Sequence, residues 1–234
     1  MLTAQQSASE FLMECKGRME TSPVMHHEFL QRFESEYLTK AQLRKFAAQW
    51  YKTARGHKEA FPAIIYNIRN DDIRFDLIEI LNEEYGNGDR EQIHSRLLKR
   101  FLTALEISDE EVEREETLPA VKNFGDEVLR IWRDGDPVYA FGLHFALEFL
   151  ASALHVHFAG GLQKYPFLTE YDKQYFNYHK VAEQQHADFS ENGMLIYASD
   201  VESQSLLAEG VGKGINLLGN LWDSFHTHIF EAPA

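Results

Sequence analysis

His179, Glu183 and His186 lie in the run YHKVAEQQHADF, at offsets of 0, +4 and +7. On a helix of 3.6 residues per turn the three fall on one stripe. Neutral imidazoles beside a carboxylate suit iron, manganese or zinc; a solvated polar face would give the same letters. Glu148 is the second signal. It sits in FGLHFALEFLASALHVHF, with apolar or aromatic neighbours on every side, so its helix is expected to be buried all round. A buried carboxylate costs several kcal/mol unless a cation meets it. Lys and Arg are absent from Pro137 to Gln163, so the cation must be a metal or a basic side chain from another helix. His144 and His155 lie four residues before and seven after Glu148, near its face; with His157 they are candidates for an outer layer around a metal or a substrate pocket. The third signal is LNEEYGNGDREQIHSRLLKRF, which offers Glu83, Glu84, Glu91 and His94.

Glu91 and His94 form Glu-x-x-His, as do Glu183 and His186. Two such motifs, each supplemented by a Glu from another helix, are how ferritin-like bundles hold two metals. Glu59 and Glu148 are the available supplements, although that scheme leaves His179 without a role.

The elements that must position these side chains read as helices throughout. A first helix covers roughly 4–20, and Ser22-Pro23 opens a short second one to about Tyr37. Thr39 caps a long helix to about Asn70, which should bend near Phe61-Pro62. Asp71 to Tyr85 forms a fourth, the cluster Gly86-Asn87-Gly88-Asp89 a turn, and Arg90 to Glu106 a fifth. Ser108 with Glu111 reads as a capping box. Leu118–Arg133, Pro137–Leu162, about Asp172–Ala198 and Val201–Phe230 complete the set. Gly210, Gly212, Gly214 and Gly219 weaken the last helix and predict close packing or a kink there. No run alternates at the period of a strand, so the expectation is an all-α bundle of seven to nine helices, folded as one domain over 1–234 with a peripheral segment at 1–22.

Composition narrows the function. The 234 residues are 44% hydrophobic with a net charge of −14, which fits a folded chain and disfavours nucleic acid or an anionic membrane as partner. No uncharged apolar run reaches the ~18 residues of a membrane span; Val138 to Leu162 is interrupted by Glu148 and three histidines. The start of the chain lacks the basic-then-apolar pattern of a signal peptide, and the single Cys15 suits a reducing compartment. The expectation is a cytoplasmic protein.

The segments QWYKTARGHKEAFPAIIYNI and NEEYGNG, followed by the His179/Glu183/His186 helix, resemble the haem-oxygenase-like superfamily over roughly residues 23 to 230. That group includes the thiaminase II (TenA) proteins, the pyrroloquinoline quinone synthase C (PqqC) enzymes and the chlamydial protein that associates with death domains. Within it, the chain most resembles the haem-oxygenase-like di-iron oxidases. The resemblance implies metal ligands Glu84, His94, Glu148, His179, Glu183 and His186, with Glu91 or Glu83 as alternatives to Glu84. It implies two iron ions per chain, with Mn or Zn as substitutes. It further implies O2 activation and oxidation of a small organic substrate, such as an amino acid, amine or fatty acid, by a homodimer. Self-sacrificing use of a Tyr or Lys side chain also occurs in the group. Thiaminase II chemistry would need a pocket cysteine, and Cys15 precedes the resembling region. A metal-free ligand-binding or TenA/PqqC-like enzyme of the same fold is the alternative, and would show Glu148 meeting Arg or Lys. Tyr51, Lys52, Arg55, His57 and Lys58 precede the bend and are candidate pocket residues.

Overall fold

The computed structural model describes residues 6–231, apart from the side chains of 181–185 and 187. Among the described residues there are ten α-helices and no strand: α1 (Ala8–Glu20), α2 (Glu28–Ser35), α3 (Lys40–Asn67), α4 (Asp71–Glu84), α5 (His94–Ala104), α6 (Asp109–Arg114), α7 (Pro119–Asp134), α8 (Pro137–Leu162), α9 (Gln174–Tyr197) and α10 (Val201–His226). The count exceeds the seven to nine expected by the short α6, which the Ser108/Glu111 capping box opens.

Side-chain caps start most of these helices. Ser7 with Glu10, Thr39 with Gln42 and Ser108 with Glu111 form reciprocal capping boxes. Asn70 accepts from the amides of Asp72 and Ile73, and Asp136 from those of Val138 and Tyr139. Two starts differ from the sequence reading. Ser22-Pro23 lies in a turn, and α2 begins only after His27, whose Nδ1 accepts from the Phe29 amide. The segment expected to be helical from Arg90 breaks into a 3-10 turn, Arg90–Gln92, and α5 begins at His94. Pro62 lies inside α3, which runs through it as one helix.

Helix α8 is the axis of the bundle. It packs on α10, α9 and α2, while α3 packs on α7, α5 and α4. Its 26 residues are long and apolar enough to cross a membrane, yet most of the apolar stretch is covered by the other helices. The α8–α10 crossing is close because glycines line it. A Cβ on Gly142 would stand 2.3 Å from the Leu207 carbonyl oxygen, and one on Gly210 would stand 2.3 Å from that of Tyr139. Helix α1 packs on α9 and α10, burying Phe11, Leu12, Cys15 and Met19. Met13, between these buried positions, is exposed.

Candidate metal centre

Four helices converge at the middle of the bundle. Glu83 and Glu84 are the last residues of α4, and His94 is the first of α5. Between them the chain reverses through Gly86, Asn87 and Gly88, all with positive φ (81°, 51° and 89°). Glycine tolerates this region without strain, and a Cβ at Gly86 would collide with the Asp89 carbonyl at 2.3 Å. The turn thus holds the end of α4 against the start of α5. The partial negative charge at a helix C-terminus disfavours carboxylates and favours a cation there.

Glu84, His94 and His179 offer donor atoms that all lie within 4.8 Å of one another. His94 Nδ1 is 3.0 Å and His179 Nε2 3.7 Å from Glu84 Oε1. His94 Nδ1 is buried and has no hydrogen-bond partner despite that proximity. A ring nitrogen facing a carboxylate oxygen without donating to it is arranged as two ligands of one cation would be. On the other ring edge of His179, Nδ1 donates to the Tyr175 carbonyl, 2.7 Å away, one helical turn back. That bond fixes the tautomer that leaves Nε2 as the donor atom towards Glu84.

A second group adjoins α8. Glu148 Oε2 lies 3.3 Å from His186 Nδ1, and Glu148 Oε1 lies 3.6 Å from His144 Nδ1. His186 Nε2 donates to Glu83 Oε2 at 2.9 Å, and Glu83 Oε1 accepts from the Tyr178 hydroxyl at 2.9 Å. A carboxylate holding the far nitrogen of a histidine is the usual arrangement behind metal-bound imidazoles. His144 is fully buried among Phe61, Trp132 and Phe141 and shares a hydrogen bond between its Nε2 and Ser190 Oγ.

Among the described residues, no Lys or Arg forms an ion pair with Glu83, Glu84 or Glu148. Burial pushes the Glu148 carboxyl up, but the hydrogen bond from His186 and the charge of His144 more than offset it and hold it below the usual range. Glu84 behaves likewise: burial raises it, and His94 and His179 bring it well below. Burial in turn lowers His94, His144, His155 and His57, His144 to about 4, so each of these rings holds its proton less readily than a free imidazole. The carboxylates and imidazoles each depend on the other for charge, an arrangement whose shared protons a divalent cation would replace.

Of the six residues expected to ligate, five are placed. Glu84, His94 and His179 come together, Glu148 meets His186, and the side chain of Glu183 lies outside the described ones. Glu91 is corrected: it sits on the exposed 3-10 turn, pairs with Arg96 at 2.9 Å, and is not on the helix of His94. The ferritin-like scheme loses Glu59 as well, since it is exposed and lies 3.8 Å from Arg55. His157 also leaves the site, held at 2.6 Å by Glu34. His155 stays, stacked on His179 with ring centroids 4.7 Å apart.

One cavity reaches this cluster, with an empty volume of about 850 Å³ including its open mouth. Its lining includes Glu84, His94, His155, His179 and Glu148, with Trp50, Phe124, Leu147, Leu154, Leu218 and Leu221 forming apolar walls. Tyr51, Arg55, His57 and Lys58 border it as expected. Lys52 does not: its ammonium is bound by the Glu115 carbonyl and by Thr117 Oγ1. The sequence reading missed Glu83 as the partner of His186, and Tyr175 as the holder of His179. The second had a signal, because Tyr175 lies one turn before His179.

This architecture is that of the haem-oxygenase-like helical proteins. The chain belongs to the family described as iron-containing redox enzyme, whose model matches residues 44–219. It is 27% identical over 213 residues to a 4-aminobenzoate synthase of Chlamydia pneumoniae, covering 89% of this chain and 91% of that one. A protein of the same name from Chlamydia trachomatis is 28% identical over 184 residues, 76% of each chain. Among solved structures, a TenA homologue from Pseudomonas syringae pv. tomato superposes with a TM-score of 0.76 at 11% identity, covering 95% of this chain and 96% of that one. A CADD-like protein of unknown function from Nostoc punctiforme gives 0.75 at 15% identity, covering 97% and 98%. The fold is shared with both. The protein is an oxidoreductase of an iron-containing family.

Proposed function

We propose that the chain is a non-haem di-iron oxidase that uses O2 to oxidise a small organic substrate. In this reading Glu84, His94 and His179 hold one iron, and Glu148, Glu183 and His186 hold the other. The observation that carries it is the charge pattern. Three carboxylates, Glu83 and Glu148 buried and Glu84 partly so, face imidazoles, and no basic side chain among the described residues pairs with them. A metal-free enzyme of the same fold would need Arg or Lys at Glu148, and His186 and His144 stand there instead. When bound, ferrous iron would supply the electrons and the open coordination positions that O2 reduction requires.

The chain's own residues do the rest. The Tyr175 carbonyl and Glu83 fix which nitrogen His179 and His186 present to the centre. The aromatic and aliphatic walls keep water from the reacting atoms, and the cavity beside Glu84 and Glu148 brings substrate to the metals. The apolar walls favour a substrate with a hydrocarbon or aromatic body, among the amino acids, amines and fatty acids. The name of the chlamydial relatives, 4-aminobenzoate synthase, gives an aromatic amino acid as the product of those proteins.

Anaerobic loading with ferrous iron should give about two metals per chain, and admission of O2 should consume the gas. Glu148→Ala and His186→Ala should each lose iron while circular dichroism stays helical. Full iron stoichiometry in either variant, or wild-type protein that takes up no iron, would overturn the assignment.

A further inference from the structure

The cavity lining carries positive charge that the metal centre does not use. Two cationic side chains of α3 line it, Arg55 and Lys58. Arg55 is neutralised, its guanidinium donating to Glu113 at 2.7 Å with Glu59 3.8 Å away. Lys58 is not. Its half-buried ammonium donates to the Ser95 hydroxyl at 2.7 Å and lies 4.9 Å from the centre of the Tyr85 ring. It forms no ion pair with a carboxylate among the described residues. Burial lowers its pKa, and the field of Glu84 raises it.

Ser95 follows His94 at the start of α5, so the ammonium is tethered one residue from a candidate ligand. The same helix begins without a side-chain cap, so the positive end of its dipole adds to the field. Burying an ammonium against a neutral hydroxyl is costly; an anion from outside the chain would relieve the cost. The apolar walls at Trp50, Phe124 and Leu154 then face the remainder of that ligand.

Resting on the oxidase reading, we propose that Lys58 is the anchor for a carboxylate on the substrate. The substrate class is therefore organic acids with an apolar or aromatic body, held with the carboxylate at Lys58 and the body against the apolar walls. Lys58 is in this sense a specificity-determining residue. Ser95 positions it by accepting one of its three protons, which leaves two for the anion.

The test compares matched acid and amide probes, benzoate with benzamide and hexanoate with hexanamide. Binding is read by calorimetry, on protein as isolated and after anaerobic ferrous loading. Wild type should bind each acid at least about tenfold more tightly than its amide, as a charge-assisted hydrogen bond requires. Lys58→Met should abolish that preference, and Lys58→Arg should retain most of it, with iron stoichiometry measured in parallel. Equal affinity for acid and amide, a preference that survives in Lys58→Met, or no binding of either acid would overturn the proposal. If the Lys58-dependent preference holds in protein that takes up no iron, the anchor stands and only the oxidase reading falls.

Discussion

Glu83 and Glu84 are neighbours in sequence that do different work. Successive residues on a helix point about 100° apart, so Glu84 turns to His94 and His179, while Glu83 meets His186 and Tyr178. Glu83 is thus a support for an imidazole. Glu83→Gln keeps the shape but weakens the acceptor for His186 Nε2–H, and should lower iron affinity about 10- to 100-fold. Competition against a calibrated chelator measures this directly; unchanged affinity would show that His186 is held by other contacts. Cys15 gives a second residue-scale prediction. Burial raises its thiol to about 12, so almost none of it is the reactive thiolate near pH 8. Native protein should resist alkylation by iodoacetamide, while denatured protein should label fully, as mass spectrometry would reveal.

At the level of elements, the glycines of α8 and α10 set how near the two helices come. Gly142→Ala places a methyl group against backbone at 2.3 Å, where nothing flexible can yield. It should cost about 1–3 kcal/mol as overpacking. Gly219→Ala, on the same α10, meets only Val24 Cγ2 at 3.5 Å. It should be neutral or stabilising by up to ~1 kcal/mol through helix propensity. Chemical denaturation of both variants provides the comparison, and equal effects would contradict the packing account. Helix identities were legible from periodicity and caps, because each depends on residues close in sequence. The break at Arg90–Gln92 was not. Glu-x-x-His fits a helix, and only the turn at Gly86–Gly88 dictates where α5 starts. Ser22-Pro23 misled in the same way, since it suits a turn as well as a first helical position.

For the whole molecule, the legible part of the site was its chemistry and the hidden part its pairing. A lone carboxylate in the apolar α8 segment marked Glu148 as needing a cation from elsewhere. The sequence puts His144 one turn from Glu148, but it does not contain the facts that His186 meets Glu148 or that Glu91 faces solvent. Those follow from how α4, α5, α8 and α9 meet, which is decided by packing between distant segments. The same holds for Lys52 and Lys58, six residues apart on α3, where one ammonium is absorbed by the Glu115 carbonyl and Thr117 and the other is left facing the cavity.

The left-handed turn at Gly86-Asn87-Gly88 joins two of the three residues in the Glu84/His94/His179 group. Its stability sets how readily that half of the centre comes apart. Such a short exposed reversal can open at far lower free energy than the helical core. Under the proposed di-iron assignment, release or exchange of an ion there would need only a local excursion of a few residues while the bundle remained intact, and the two halves of the centre would differ in how fast they trade metal with their surroundings.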